Sequence, residues 1–502
     1  MKITRAVASI FPLYSNLFPH KEPLSSLLNK FNYFLHMADI LKDKTSQVLL
    51  KMSFPISIGM LSTFLFQVID TYFVGKLGGE ALAALSFSSV LYFIIVGLFM
   101  GLAVGVSTLV GKAVGEQNDI AKEQYALIGL LMCFVLTVAV AGVVYYFSNP
   151  IFLLLGAPQE ILPLIDQYML PLLTGIAFLT TGIMAGSILR STGNVVMPEV
   201  IMALAGVVNL FFDYALIFGE FGFPEYGIKG ASYATVMSWF FMIIGMTILS
   251  LSDRILKFAY PVKTLPVVKI VQQITKVGLP TTVTQMIAPI TQMYLTFILA
   301  SHSAMAVGAF GVSSRIEMLM LIGILGVGTA LTPFIAQNLG ANQKKRIDEA
   351  IVFGGKTSTY LGIALAIILF VLIEPLASIF SEDASIIEYT VSYFRLVGVS
   401  YVFYGFFIMT SSAFNGLQMT KDSMKIMLIK SFAMTVPLTL IGSAVYGIDG
   451  IFIGLSLSNI LGGIYASVFM KKKYKEMDSD LQHAEIWKDY KSDLQSISFW
   501  RG

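Results

Sequence analysis

The sequence predicts an all-α integral membrane protein, with twelve transmembrane helices in two six-helix lobes related by pseudo-two-fold symmetry. Three observations carry this expectation. Of the 502 residues, 56% are hydrophobic and only 13% are charged, against roughly 25% charged in soluble proteins. The apolar residues gather into twelve long runs, each near the ~20 residues a helix needs to cross the hydrocarbon of a bilayer. The second half of the chain repeats the first at an offset of 225 residues.

The deficit of charge means that most of the surface faces lipid. A net charge of +3 is too small to point to nucleic acid. Cys133 is the single cysteine, so no intramolecular disulfide can form, and its place in an apolar run marks it as a buried, inert thiol. His20, His36, His302 and His483 show no ligand spacing.

The apolar runs lie near 48–74, 82–111, 123–147, 160–189, 196–219 and 229–252 in the first half. In the second half they lie near 273–300, 305–337, 348–372, 388–415, 424–446 and 449–471. They are long, continuous and rich in Leu, Ile, Ala, Met and Gly, which excludes membrane strands of about ten alternating residues. Basic residues crowd alternate connections: Arg254, Lys257, Lys263, Lys269 and Lys276; Lys344, Lys345 and Arg346; Lys421 and Lys425; Lys471, Lys472, Lys473 and Lys475. The loops 148–159 and 373–387 have none. Lys and Arg accumulate in cytoplasmic loops, so both termini and the central linker are expected in the cytoplasm. The expected organisation is an N-terminal extension over 1–45, an N-lobe over 46–255, a linker over 256–272, a C-lobe over 273–471 and a tail over 472–502. The extension carries no signal-peptide pattern, and Met37 offers an alternative start.

In the ungapped 225-residue register, Pro55 falls on Pro280, Ser88-Ser89 on Ser313-Ser314, Gly101 on Gly326, Gly115 on Gly340, Pro150 on Pro375 and Tyr168 on Tyr393. Six helices is an even number, so both halves enter from the same side and are related by an axis along the membrane normal. That arrangement puts a cavity between two lobes, suited to alternating access.

An ionisable residue inside the bilayer is costly and marks a candidate functional site. Asp70 lies near the far end of the first helix. It either reaches interfacial water or binds a proton or cation in a cavity. Asn209 and Asp213 share one face of helix five at i, i+4, as packing partners or as further ligands; oxygen ligands suit a hard cation such as Na+. Asp70 aligns with Leu295, and helix eleven has no Asp, Glu or Asn, so the charged pattern belongs to the N-lobe alone. Pro55 precedes Asp70 by fifteen residues in the same helix, as a static bend or a hinge. In the C-lobe, Glu317 is expected near mid-membrane, paired with Arg315 or Arg395 or facing substrate. Gly105 to Lys112 loosely resembles a phosphate loop, but the spacing is one residue too long and Ala113 stands where Ser or Thr is needed. ATP is therefore not expected, and the energy source is an ion gradient.

Asp70-Thr-Tyr-Phe-Val-Gly-Lys-Leu-Gly-Gly-Glu-Ala-Leu-Ala-Ala84 resembles the first-helix signature of the multidrug and toxic compound extrusion (MATE) transporters. Gln337-Asn-Leu-Gly-Ala-Asn342 is similar to their eighth-helix exit motif, and Gly227-Ile-Lys-Gly-Ala-Ser-Tyr-Ala-Thr235 to the opening of their sixth helix. The resemblance covers roughly 45–472. It implies export of amphipathic, often cationic, organic compounds in exchange for H+ or Na+, with no other cofactor. It implies that Asp70, Asn209, Asp213 and, by position, Thr235 form the cation site, Na+ binding to the first three if sodium drives transport, and that Pro55 is the bending residue. The helix-seven and helix-ten acids of another branch are missing, apart from Glu388 at the outer start of helix ten. We expect a monomer in a bacterial inner membrane, with small organic substrates as its partners. A lipid or lipid-linked sugar flippase of the same superfamily is the alternative, but such proteins have basic cavities. No paired-His motif or nucleophile with a base suggests an enzyme, and the two-lobe repeat argues against a channel.

Overall fold

The computed structural model describes residues 39–253, 255 and 266–479, with no account of the side chains of 477–479. Much of the expected extension and tail, and Arg254, Lys257 and Lys263, fall outside them. The described residues belong to one compact unit that begins at Asp39.

Among the described residues, eleven helical segments are long and apolar enough to cross a membrane. In the first half these are α1 (Thr45–Gly75), α2 (Gly79–Gly115), α3 (Asp119–Tyr146), α4 (Leu162–Ser191), α5 (Val196–Phe218) and α6 (Ile228–Ser252). In the second half they are α7 (Val267–Ala300), α8 (Ala304–Gly340), α9 (Lys344–Phe380) and α10 (Ala384–Gly416), the last containing a tight turn at Gly398–Ser400. The final segment, Thr420–Glu476, is broken at Tyr446 and Gly447, so it makes two crossings: α11 (420–446) and α12 (448–476). Twelve crossings result. The helices outrun the apolar runs by a few residues at most ends. Helix α7 starts at Val267, directly after Pro266, so its first turns take up residues expected in the linker. A short helix, Ser148–Leu154, follows α3 and was not foreseen.

The repeat is visible in the turns. Gln117 and Asn342, 225 residues apart, both adopt left-handed φ (54° and 53°), as do Gly193 and Gln418 (100° and 60°). Each closes its helix in the same way. The backbone N–H of Asn118, Asn194, Gln343 and Met419 donates to the carbonyl five residues earlier, on Ala113, Leu189, Asn338 and Phe414. This is the capping pattern in which one left-handed residue satisfies otherwise orphaned carbonyls. The last helices repeat at a shorter offset. Tyr226-Gly227-Ile-Lys-Gly230 and Tyr446-Gly447-Ile-Asp-Gly450 lie 220 residues apart. Gly227 (φ 57°, ψ −134°) and Gly447 (φ 60°, ψ −132°) share a backbone conformation that a residue with a Cβ rarely adopts.

The lobes meet along α1 with α8, α2 with α7, and α2 with α8. A Cβ placed on Gly115 would lie 1.9 Å from the carbonyl oxygen of Gln337, and one on Gly340 would lie 2.1 Å from that of Lys112. The contact is reciprocal, because Gln337 is the repeat mate of Lys112 and Gly340 of Gly115. Gly111 and its own mate Ala336 face each other, with a Cβ on Gly111 falling 3.1 Å from that of Ala336. The pseudo-two-fold axis therefore runs between these two residues.

Hydrogen bonds across the lobe boundary lie in the half of the membrane where α1 and α7 begin and α2 and α8 finish. The Thr281 hydroxyl donates to the Gly101 carbonyl at 2.6 Å, and Ser57 to Ile322 at 3.4 Å. Tyr125 donates to Gln273 Oε1 at 2.8 Å, and Gln337 Nε2 to the Ser191 carbonyl at 2.6 Å. Arg346 pins residues 39–44 onto the C-lobe by donating to the carbonyls of Ile40 (2.8 Å) and Asp43 (2.6 Å). The lobes are sealed at this end. Pro55 and Pro280, both buried inside their helices, lie in the seam.

Candidate cation-coupling site

Asp70 lies five residues before the end of α1, at the end opposite the seal. Asp213 lies on α5, which also runs away from the seal, and is 1% exposed. The two carboxylates sit in each other's electrostatic field. Two tyrosines from α2 and α4 lie in the same field: Tyr92 senses the charge of Asp70, and Tyr168 that of both acids. Tyr92 is held by stacking on Trp239 of α6, with ring centroids 6.1 Å apart and planes 10° apart. Ser232 of α6 donates to the Tyr168 carbonyl at 2.6 Å, fixing α6 to α4.

Asn209 stands one turn before Asp213, and its amide donates to the Thr235 hydroxyl of α6 at 3.4 Å. Thr235 in turn donates to the Ala231 carbonyl at 2.9 Å. Thus Asp70 and Asp213 lie within each other's field, and Asn209, one turn away on α5, meets Thr235.

One oxygen of each carboxylate, Asp70 Oδ1 and Asp213 Oδ1, is buried without a hydrogen-bond partner. Neither acid forms an ion pair with Lys, Arg or His among the described residues. Two like charges in a medium of low dielectric repel strongly, and a buried carboxylate needs a counter-charge or a proton. The arrangement is chemically fit to take up H+ or a small monovalent cation. Among the described residues no cluster of three or more His, Cys, Asp or Glu side chains has the make-up of a multivalent metal site.

The C-lobe differs from expectation. Arg315 and Arg395 are exposed and do not pair with Glu317. The reason is geometric: residues two apart on a helix do not face each other, so Arg315 points away from Glu317, and Arg395 lies two residues from the tyrosine that does reach it. Glu317 instead accepts from the Tyr393 hydroxyl at 3.1 Å. Its nearest basic influence is Lys430 of α11. Sequence reasoning overlooked Lys430, although a lysine in the run Ile-Met-Leu-Ile-Lys-Ser-Phe is itself an intramembrane charge. It also overlooked Tyr92, whose repeat mate is Glu317 itself.

Comparison with known proteins agrees with this architecture. The MatE family profile matches twice, at residues 55–215 and 280–441, with starting points separated by the repeat offset. A FAD transporter from Shewanella oneidensis is 33% identical over 431 residues, covering 85% of this chain and 94% of that protein. A probable multidrug resistance protein, NorM, from Thermotoga maritima is 25% identical over 374 residues, covering 73% and 78%. The crystal structure of a point mutant of the Vibrio cholerae MATE transporter VcmN superposes with a TM-score of 0.82 at 25% identity, covering 86% of this chain and 97% of that one. The chain is a multi-pass membrane protein and a member of the MATE family of transporters, not an enzyme.

Proposed function

We propose that this transporter exports organic compounds in exchange for H+ or Na+, and that Asp70 and Asp213, with Asn209 and Thr235, form the coupling site. The observation that carries the reading is the pair of carboxylates in each other's field, each with a buried oxygen lacking a partner and, among the described residues, neither with a basic counter-ion. A pair of this kind changes its energy by several kcal/mol when a cation leaves or arrives, enough to bias two packings of the lobes. Pro55, in the helix that carries Asp70, is the place where α1 bends, since it removes one backbone hydrogen bond. The excess of Lys and Arg at the sealed end supports a cytoplasmic position for that end and for both termini, in a bacterial inner membrane. The chain then acts as a monomer without ATP.

Drug-like organic cations are the first cargo reading, supported by relatives named as multidrug resistance or export proteins at 22–26% identity. A flavin dinucleotide is the second, favoured by the 33% identity to a FAD transporter. Proteoliposomes given Na+ and pH gradients separately, with FAD or ethidium as cargo, distinguish both pairs of alternatives. Asp70→Asn is expected to abolish gradient-driven export of whichever cargo the parent moves. Retained coupled export in that variant refutes the coupling role.

A further inference from the structure

The C-lobe holds a charge arrangement that the coupling reading does not use. Lys430 is 8% exposed and deep in α11. Its ammonium lies over two rings of α10, 5.1 Å from the centroid of Tyr404 and 5.5 Å from that of Phe407. Its aliphatic stem packs against α12 at Gly462, where a Cβ would meet Lys430 Cγ at 2.9 Å. Local backbone accommodates it: residues Ile429–Thr435 form a wide π-helical turn within α11, a feature frequent at functional positions. The opposing acid is Glu317 of α8, held by the Tyr393 hydroxyl at 3.1 Å. Tyr401 is fully buried nearby, in the field of the same carboxylate. Glu317 and Lys430 sense each other's charge without forming a direct ion pair.

The repeat gives this cluster its meaning. Glu317 and Tyr393 are the 225-residue mates of Tyr92 and Tyr168, the two tyrosines in the field of Asp70 and Asp213. Lys430 corresponds to residue 205 at the 225-residue offset and to residue 210 at the 220-residue offset, the stretch of α5 that leads into Asn209. Each lobe therefore gathers charged and tyrosine side chains at corresponding positions. Among the described residues, the N-lobe cluster has two acids and no basic partner; the C-lobe cluster has one acid, aromatic faces and an ammonium on the chain itself. An acid facing aromatic rings is a recognised receptor for an organic ammonium.

We propose that Lys430 is a tethered cation that permanently fills a C-lobe cation site formed by Glu317, Tyr404 and Phe407, a site whose chemistry suits a primary ammonium. One lobe then carries its counter-charge covalently, and only the other has a cation to exchange. That consequence rests on the coupling role proposed for Asp70 and Asp213; the site itself does not.

The test needs neither cargo nor gradient. Purified parent, Lys430→Ala and Lys430→Ala/Glu317→Gln proteins are melted in detergent across a series of n-butylammonium chloride concentrations. Lys430→Ala vacates the site, so it is expected to melt below the parent and to regain several degrees, saturably, as n-butylammonium enters. The parent and the double variant, lacking a vacancy or an acid, are expected to show no saturable rise. The proposal is overturned if Lys430→Ala melts like the parent, if n-butylammonium gives it no saturable rise, or if the double variant responds equally. Should Lys430→Ala alone fail to fold, the double variant decides: recovery of a folded protein supports a charge-filled site, and failure to recover overturns it.

Discussion

Replacing Gly115 with Ala tests whether the reciprocal glycine contact holds the lobes shut. The added Cβ would fall 1.9 Å from the Gln337 carbonyl oxygen, whereas a carbon–oxygen contact settles at about 3.3 Å. Helices α2 and α8 must therefore separate by about 1.4 Å at this crossing. The obstacle is backbone on a rigid helix, with no side chain to rotate away. Overpacking of this kind costs about 1–3 kcal/mol. If the seam opens to relieve it, the ratio of sealed to open molecules falls by about five- to 150-fold. Gly340→Ala, at 2.1 Å from the Lys112 carbonyl, should act in the same way. Gly142→Ala in α3 is the control, since nothing lies within 4 Å of its Cβ, and it should be neutral or stabilising by about 0.5–1 kcal/mol. The assay is the rate at which a bifunctional maleimide bridges a Tyr125→Cys/Gln273→Cys pair in a Cys133→Ala background, because the tips of those two long side chains join across the sealed end at 2.8 Å. Cross-linking should slow in Gly115→Ala and stay unchanged in Gly142→Ala. If Gly115→Ala cross-links as fast as the parent and melts like the control, the seam is not held by this contact.

Pro55→Ala should fold and melt at or above the parent temperature, because a helix interior regains a hydrogen bond, while gradient-driven export falls at least tenfold; Pro280→Ala, in the lobe without paired acids, should leave export within a few-fold. Equal effects of the two on export would remove the hinge assignment. Arg190 donates to Glu199 at 2.8 Å, with both side chains largely buried, so Glu199→Gln should cost about 3–5 kcal/mol by stranding a buried cation. Arg190→Met/Glu199→Met should recover most of that loss, as read by thermal melting. Gln418 holds a left-handed φ of 60° where its repeat mate is Gly193, so Gln418→Gly should stabilise by about 1 kcal/mol; an unchanged or lower melting temperature would count against strain at this turn.

The spans and the duplication were legible because both are written in composition. A bilayer demands about 20 apolar residues per crossing, and shared Pro and Gly positions persist where backbones bend or touch. Gly115 and Gly340 mark the repeat in the sequence, and the structure adds the contact that requires them. Asp70 and Asp213 were legible for a related reason: a carboxylate in an apolar run has few uses. The partners were harder. Tyr92 and Tyr168 belong to other helices, and a tyrosine in a membrane helix is common enough to carry no signal alone. Glu317 was visible, but pairing it with Arg315 ignored the helical rotation of about 200° between residues two apart. Lys430 is itself a charge in an apolar run, but nothing in the sequence names the rings of α10 over which it lies. The duplicated prolines also part ways. Pro150 falls in the short helix Ser148–Leu154 after α3 has ended, whereas Pro375 lies inside a continuous α9.

The glycines of α2 that meet the C-lobe, Gly97 to Gly115, span about half of that helix, and that sets a mechanical ratio. Among the glycines of α2, Gly97 is the farthest from the seal to meet the C-lobe, with Met286 Sδ 3.7 Å from where its Cβ would lie. From Gly97 to Gly111 is fourteen residues of α2, and from Gly97 back to Gly79 is eighteen, or about 21 Å and 27 Å at 1.5 Å per residue. A rocking motion about that point works as a see-saw with nearly equal arms. Parting the tight end by an ångström brings the wide end together by slightly more, so a molecule this size can exchange one opening for the other with no part of it travelling far.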